Sequence, residues 1–334
     1  MTDTAVLRVA LDLDGSLESL GNSMTDLAAA LTELGECELV RFRTRTRATG
    51  EERSVDRIWL PLWRRSLGPS VDRMVGPVDV VHVAGLATPP SRATPLVISV
   101  DDLRPLRGET RIHQRVAQLR RAVAHGALLV ASTRTASHEV LGVLGVERSR
   151  VVVVPPAVPR VAPTCDGVDL VVNVTGAVEL FLALAPALVR VVGDGAARVV
   201  ALTSTAARQR VRSSGLAVVV RGREEARDAL SRARLVIHLS DGARFPSFAI
   251  AALAAGVPTV ARSTAINREL LDGAAALIGA EEEWPDVLAQ AWGDEARRAV
   301  MVAAGAARAV DFSPATAARA YGALYREVVR GWTA

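Results

Sequence analysis

Few side chains in this 334-residue sequence combine the types and spacing that chemistry needs. Asp101 and Asp102 are adjacent carboxylates closing an apolar run, PLVISVDD, where acid–base work or a metal ion would be placed. Neighbours at a strand end point to opposite faces, so one ligand is hard for both to share, and turn capping is the competing role. His82 ends VDVVH and either faces a site at the strand's carboxyl edge or is a satisfied structural residue. Ser132, Thr133 and Arg134 follow ALLVA. Their hydroxyls and guanidinium suit an acceptor or a phosphate, and they suit equally the N-cap of a helix over 135–144. Ser137-His138-Glu139 has hydrolase residue types but lies within one helix and lacks a nucleophile elbow. No residue set has metal-ligand spacing, so no metal site is expected.

The residues that are missing narrow the chemistry further. All 40 basic residues are arginine, a bias that fits a high-GC bacterial genome. A lysine Schiff base and a P-loop lysine are thereby excluded. With 36 acids the net charge is only +4, too small an excess to imply a nucleic-acid partner. Arginine is nonetheless uneven. The span from Arg41 to Arg73 holds nine arginines against four acids, and Arg111, Arg115, Arg120 and Arg121 add to a basic helix. This is either a solvated face or a surface for anionic membrane or a partner. Cys37 and Cys165 have no partner-like spacing, so a disulfide framework is not expected and a reducing cytoplasm is. The acidic start, with Asp3, Asp12 and Asp14, is unlike a signal peptide. The longest uncharged run, 245–261, is broken by proline and glycine, which argues against a membrane span and for a soluble chain.

The elements that must position these residues follow from period. Val-rich runs at 6–13, 38–45, 78–83, 96–100, 127–131 and 151–154 read as strands, and a second series follows at 170–174, 198–203, 217–220, 235–239, 259–262 and 275–278. Helical period fills 24–34, 112–125, 135–144, 224–232, 248–255 and 313–332. Near-continuous apolar strands alternating with helices predict α/β architecture with parallel sheets covered on both faces. PPAVPRVAPTCD at 155–166 has four prolines and reads as an extended linker. Two doubly wound domains are expected: 1–160, rejoined by the helix over 313–332, and 167–311.

Several segments in order resemble the family-4 (group 1) retaining glycosyltransferases. They are VDVVHVAGLATPP, PLVISVDDLRPLR, STRTASHEVLGVLGVERSRVVVVPPAVP, ARLVIHLSDG, FPSFAIAALAAGVPTVARS, AINRELLDGAAALI and FSPATAARAYGALYREVV. The resemblance implies the GT-B fold, two Rossmann-like domains facing across a cleft, and metal-independent hexosyl transfer from a nucleotide-diphosphate sugar. The donor would be held by the C-terminal domain and a glycan or lipid-linked acceptor by the N-terminal one, with no further cofactor. It places Gly176, Arg244, Phe245, Ser247, Arg262 and Glu269 on the donor side. Gly21, Asn22, Ser132 and Arg134 fall on the acceptor side, and catalytic positions near His82, Asp101 and Asp102.

The chain departs from the family pattern where the donor is held. The family's two donor-binding glutamates align with Ala243 and Ala251, and its basic pair falls in Val174 to Leu188, which contains no basic residue. Asp101 stands for the family's strand-end histidine, and Gly21-Asn22-Ser23 for its glycine-rich turn. A second expectation from the same resemblance is therefore a catalytically inactive homologue that serves as partner or binding subunit to an active glycosyltransferase. A peripheral position at the membrane fits either expectation.

Overall fold

The computed structural model describes residues 6–14, 17–18, 21–44, 52–54, 59–63, 65, 67–84, 88–100, 112–162, 167–193, 197–212, 217–222, 225–242 and 244–332. The chain divides into two compact units: the first is built mainly from residues up to 17, 21–157 and 314–334, the second mainly from 158–313.

In the first unit the strands are β1 (Arg8–Asp12), β2 (Leu17–Glu18), β3 (Gly21–Asn22), β4 (Glu38–Arg43), β5 (Arg53–Ser54), β6 (Val80–Ala84), β7 (Leu96–Val100), β8 (Leu128–Ala131) and β9 (Val151–Val153). Seven form one sheet in the order β5-β4-β1-β6-β7-β8-β9, while β2 and β3 pair as a separate ribbon. Every ladder in the seven-stranded sheet is parallel. β6 and β7 are buried along their whole length, which is why they read as unbroken apolar runs.

The last helix, Pro314–Arg330, belongs to this first unit although it ends the chain. Its buried stripe of Ala317, Tyr321, Leu324 and Tyr325 packs with Leu27, Leu31 and Met24 of the helix Ser23–Glu33. Gly322 allows the close approach, since a Cβ there would lie 2.5 Å from a Glu36 carboxylate oxygen. Glu36 in turn pairs with Arg326 at 2.9 Å.

The second unit carries β10 (Asp169–Asn173), β11 (Val199–Thr203), β12 (Val218–Gly222), β13 (Ala233–His238), β14 (Thr259–Arg262) and β15 (Ala276–Ile278). They form one parallel sheet in the order β12-β11-β10-β13-β14-β15. The core centres on Leu170, Val172, Phe181, Leu235, Ile237, Trp284 and Leu288. All twelve strands expected from period are present within two residues at either end; β5 at the sheet edge and the short β2 and β3 are additions. The helix Val178–Val192 was not legible by period, because it is apolar on nearly every face and contains Pro186. The segment 155–162 is without regular structure, as a proline run requires, and Ala157, Val158 and Val161 within it are buried.

Candidate functional site

In an open parallel sheet, ligands bind outside the carboxyl ends of the strands where the winding reverses. In the second unit that point lies between β10 and β13: β10 continues outward to β11 and β12, and the chain returns to β13 on the other side. The turn after β10 and the loop after β13 form its walls.

Asn173 ends β10 and is buried. Its Oδ1 accepts from the Thr175 amide at 3.2 Å and from the Thr175 hydroxyl at 2.7 Å. The amide group is thereby oriented, and its Nδ2 meets His238 Nδ1 at 3.3 Å. Nδ1 must then accept, which assigns the ring proton to Nε2. That Nε2 is shielded from solvent and has no hydrogen-bond partner. Burial holds the His238 pKa down at about 4, so the ring is neutral at pH 7.

Three residues after Asn173, Gly176 adopts a left-handed conformation with φ 74°. A Cβ on it would lie 2.6 Å from Asp241 Oδ2, so the exposed Asp241 side chain reaches this turn, and the left-handed backbone is what favours glycine. The helix Val178–Val192 starts immediately afterwards; its N-cap is Ala177, which has no side chain to cap with. Its amino end therefore presents backbone N–H groups and a partial positive charge beside the turn. Glu179 in that first turn forms an ion pair with Arg210 of the neighbouring helix Thr205–Arg212. The sequence places no basic residue in 174–188, but the fold brings one in from thirty residues away.

The other donor-side residues separate. Arg262 ends β14 with its side chain exposed, one position beyond the residue paired with His238. Arg244 and Ser247 are half-buried in the loop after β13 and at the start of the helix Ser247–Ala254. Phe245 is a correction: it is buried and packs edge-on against Phe312, 5.8 Å between centroids, so it serves the core. Glu269 lies in the helix Ala265–Leu271, whose N-cap is Thr264, and its backbone carbonyl accepts from Arg308. Ala243 lies outside the described residues. Ala251 is fully buried among Phe248 to Leu253, so nothing at that position reaches a ligand.

In the first unit, His82 is fully buried and bonded at both ring nitrogens, to Tyr325 Oη at 2.7 Å and Ser99 Oγ at 2.9 Å. Tyr321 stacks on the ring at 5.2 Å. Burial pulls the imidazole pKa to about 3. With no nitrogen left for a substrate, His82 leaves the catalytic set. Asp101 and Asp102 lie outside the described residues. Thr133 caps the helix Arg134–Leu144, its Oγ1 accepting from Ala136 N at 2.9 Å; Ser132 beside it is buried and Arg134 is exposed. Gly21 and Asn22 form the strand β3 directly before the first helix.

The basic face thins out in three dimensions. Arg43 is spent on Glu52 at 2.7 Å and Asp14 at 3.5 Å. Arg115 is buried, donates to Thr88 Oγ1 at 2.6 Å, and has its pKa drawn down to about 10 by burial. Arg120 caps carbonyls of Val143 and Leu144. Arg45, Arg47, Arg57, Arg64 and Arg111 lie outside the described residues. Among the described residues there is no cluster of three or more metal-ligating side chains, and no helix is long and apolar enough to cross a membrane.

Asn173, Thr175, His238 and Arg210 were not singled out from sequence. A polar residue ending each of two apolar strands, DLVVN and ARLVIH, was the available signal for the first and third. Arg210 gave none.

Residues 157–294, which include all of this site, match the family model for glycosyl transferases of group 1. No curated protein matches the chain. Among solved structures, Alr3699/HepE of Anabaena in complex with UDP and glucose shares 14% identity with a TM-score of 0.68, over 96% of this chain and 100% of that one. Sucrose-phosphate synthase of Thermosynechococcus elongatus shares 13% at 0.69, over 98% and 100%. A putative UDP-N-acetylglucosamine 2-epimerase of Listeria monocytogenes shares 16% at 0.64, over 98% of each. The chain therefore has the GT-B fold, and the stretch that carries its switch-point site resembles the group 1 glycosyl transferases.

Proposed function

We propose that this chain is a metal-independent retaining glycosyltransferase of family-4 type. It takes a hexosyl group from a nucleotide-diphosphate sugar and passes it to a glycan or lipid-linked acceptor. The observation that carries this reading is the turn at Gly176. There a left-handed glycine brings the backbone against the Asp241 side chain and opens an uncapped fifteen-residue helix at the sheet's reversal point. That is the arrangement that cradles a diphosphate with backbone N–H groups. Arg210 and Arg262 are the side chains that would add charge to it, since arginine forks onto phosphate oxygens. The UDP-bound Anabaena relative supports a uridine nucleotide as the first probe.

Calorimetric titration of the full chain with UDP and UDP-glucose tests the reading. Saturable binding is expected, weakened about tenfold or more in the double variant Arg210→Ala/Arg262→Ala, because each lost charged hydrogen bond is worth roughly 1.5–3 kcal/mol. No heat with any of the common nucleoside diphosphates would sink it.

The alanine at 251, where the family pattern has a donor-binding glutamate, is the motive for a second reading, a homologue that binds the donor or a partner enzyme without transferring sugar. Donor binding with no release of UDP from UDP-glucose, with or without oligosaccharide acceptors, would select this alternative.

A further inference from the structure

A cavity of about 170 Å³ lies in the first unit at the amino ends of β7 and β8, the edge opposite to the one where parallel sheets usually hold ligands. It is walled by the segment 88–96, by the helix Ile112–Ala124 with the turn after it, and by Trp332. Nothing in the proposed transfer reaction uses it.

Its polar groups are poised rather than spent. Gln118 is 5% exposed, and its amide has no hydrogen-bond partner among the described residues, although it lines the cavity with two donors and an acceptor. Its amide atoms are not among the shielded unpartnered ones, so they face the cavity where water or a ligand can meet them. Thr88 accepts from the buried Arg115 through Oγ1, which leaves its hydroxyl proton to donate. Trp332 is half-buried, its six-membered ring edge against Gly126, and its Nε1 is shielded without an acceptor. Arg92 is exposed at the rim, and no carboxylate is among the described lining residues.

Size and chemistry together choose the ligand. An apolar cavity of about 150 Å³ takes one benzene ring, so this one holds a single six-membered ring rather than a drug-sized molecule. The unmatched amide selects a ring bearing hydroxyls. An indole and two prolines at 89 and 90 offer apolar surface to the C–H face of such a ring. The rim arginine and the lack of acids tolerate a phosphate and disfavour a cation. The geometry points to a pyranose-binding site in the first unit, filled by a free hexose or hexose phosphate or by the end residue of a glycan. It stands apart from the donor reading, since it shares no residue with the switch-point turn.

Saturation-transfer NMR on the full chain, with glucose, galactose, mannose, N-acetylglucosamine, their 6-phosphates and short oligosaccharides, tests it. At least one probe is expected to bind saturably. The near-isosteric Gln118→Met should weaken that binding about tenfold while circular dichroism stays unchanged. Should Gln118→Met unfold, Ala122→Phe, which fills the cavity from the same helix, replaces it and should abolish binding. Tighter binding of an oligosaccharide than of its terminal monosaccharide identifies a glycan end as the source; equal binding identifies the free sugar. The site is overturned if no probe saturates, if cyclohexanol or inorganic phosphate alone binds as well as any sugar, or if a folded variant binds like the parent.

Discussion

Gly176 concentrates two constraints in one residue. Its φ of 74° disfavours any side chain, and the space a Cβ would fill is taken by the Asp241 carboxylate. Gly176→Val should cost about 1–2 kcal/mol of stability for the left-handed backbone alone. Its larger effect should fall on UDP affinity, because a side chain at 176 displaces the Asp241 carboxylate and fills the space beside the turn. Calorimetry beside a denaturation curve separates the two; loss of stability with unchanged affinity would remove the turn from the site. His82 and His238 make a different kind of statement. Both are buried and neutral, with pKa values lowered to about 3 and about 4. The unfolded chain takes up their protons near pH 6.5 and the folded chain does not, so their contribution is complete above that pH and is lost as pH falls toward the folded values. Between pH 7 and 4.5 each should remove about 2–3 kcal/mol from the unfolding free energy. His82→Gln should flatten the pH dependence by up to one proton, about 1.4 kcal/mol per pH unit. An unchanged slope would show that His82 titrates normally in the fold.

At the scale of elements, Val178–Val192 is the helix that the candidate site depends on and the one least visible in sequence. Pro186 denies Leu182 its helical donor, yet it lies on the exposed side, and Phe181, Leu184, Ala185 and Leu188 bury the opposite face. Burial outweighs the proline penalty. Pro186→Ala should therefore stabilise the chain by roughly 1–3 kcal/mol, read from a denaturant midpoint shift at constant slope. A destabilised variant would mean that the ring itself packs. The strands were legible because β6, β7, β10 and β11 are buried on both faces and leave unbroken apolar runs. The helix Arg134–Leu144 was legible from its capping residues. What could not be read are pairings between distant segments. Arg210 beside Glu179, His82 beside Tyr325 and Asp241 against Gly176 leave no spacing rule in the chain. The vacancy of arginine in 174–188 was a true statement about sequence, and the neighbouring helix brings Arg210 only as the ion-pair partner of Glu179.

For the whole molecule, the consequence lies in where the last helix belongs. Tyr321 and Tyr325 come from the chain's end, yet they close the core of the first unit and satisfy His82, 243 residues from Tyr325. The second unit's core is drawn from within 170–301. Removing residues 314–334 should therefore strip the first unit of a buried helix face and leave His82 with an unmatched nitrogen, while β10 to β15 keep every neighbour. Leaving a buried polar group unpaired costs about 1–3 kcal/mol, and two buried tyrosines add several more, a large share of the stability of one domain. Hydrogen exchange on the truncated chain should show protection collapsing in β1, β6 and β7 and persisting in β10 and β13. UDP added to that same chain should still deepen protection around 173–177 and 239–242, because every residue proposed for the donor site lies in the second unit. Equal loss of protection in both sheets would show that the two units fold as one, and loss of the UDP effect would show that the switch point is not a self-sufficient site.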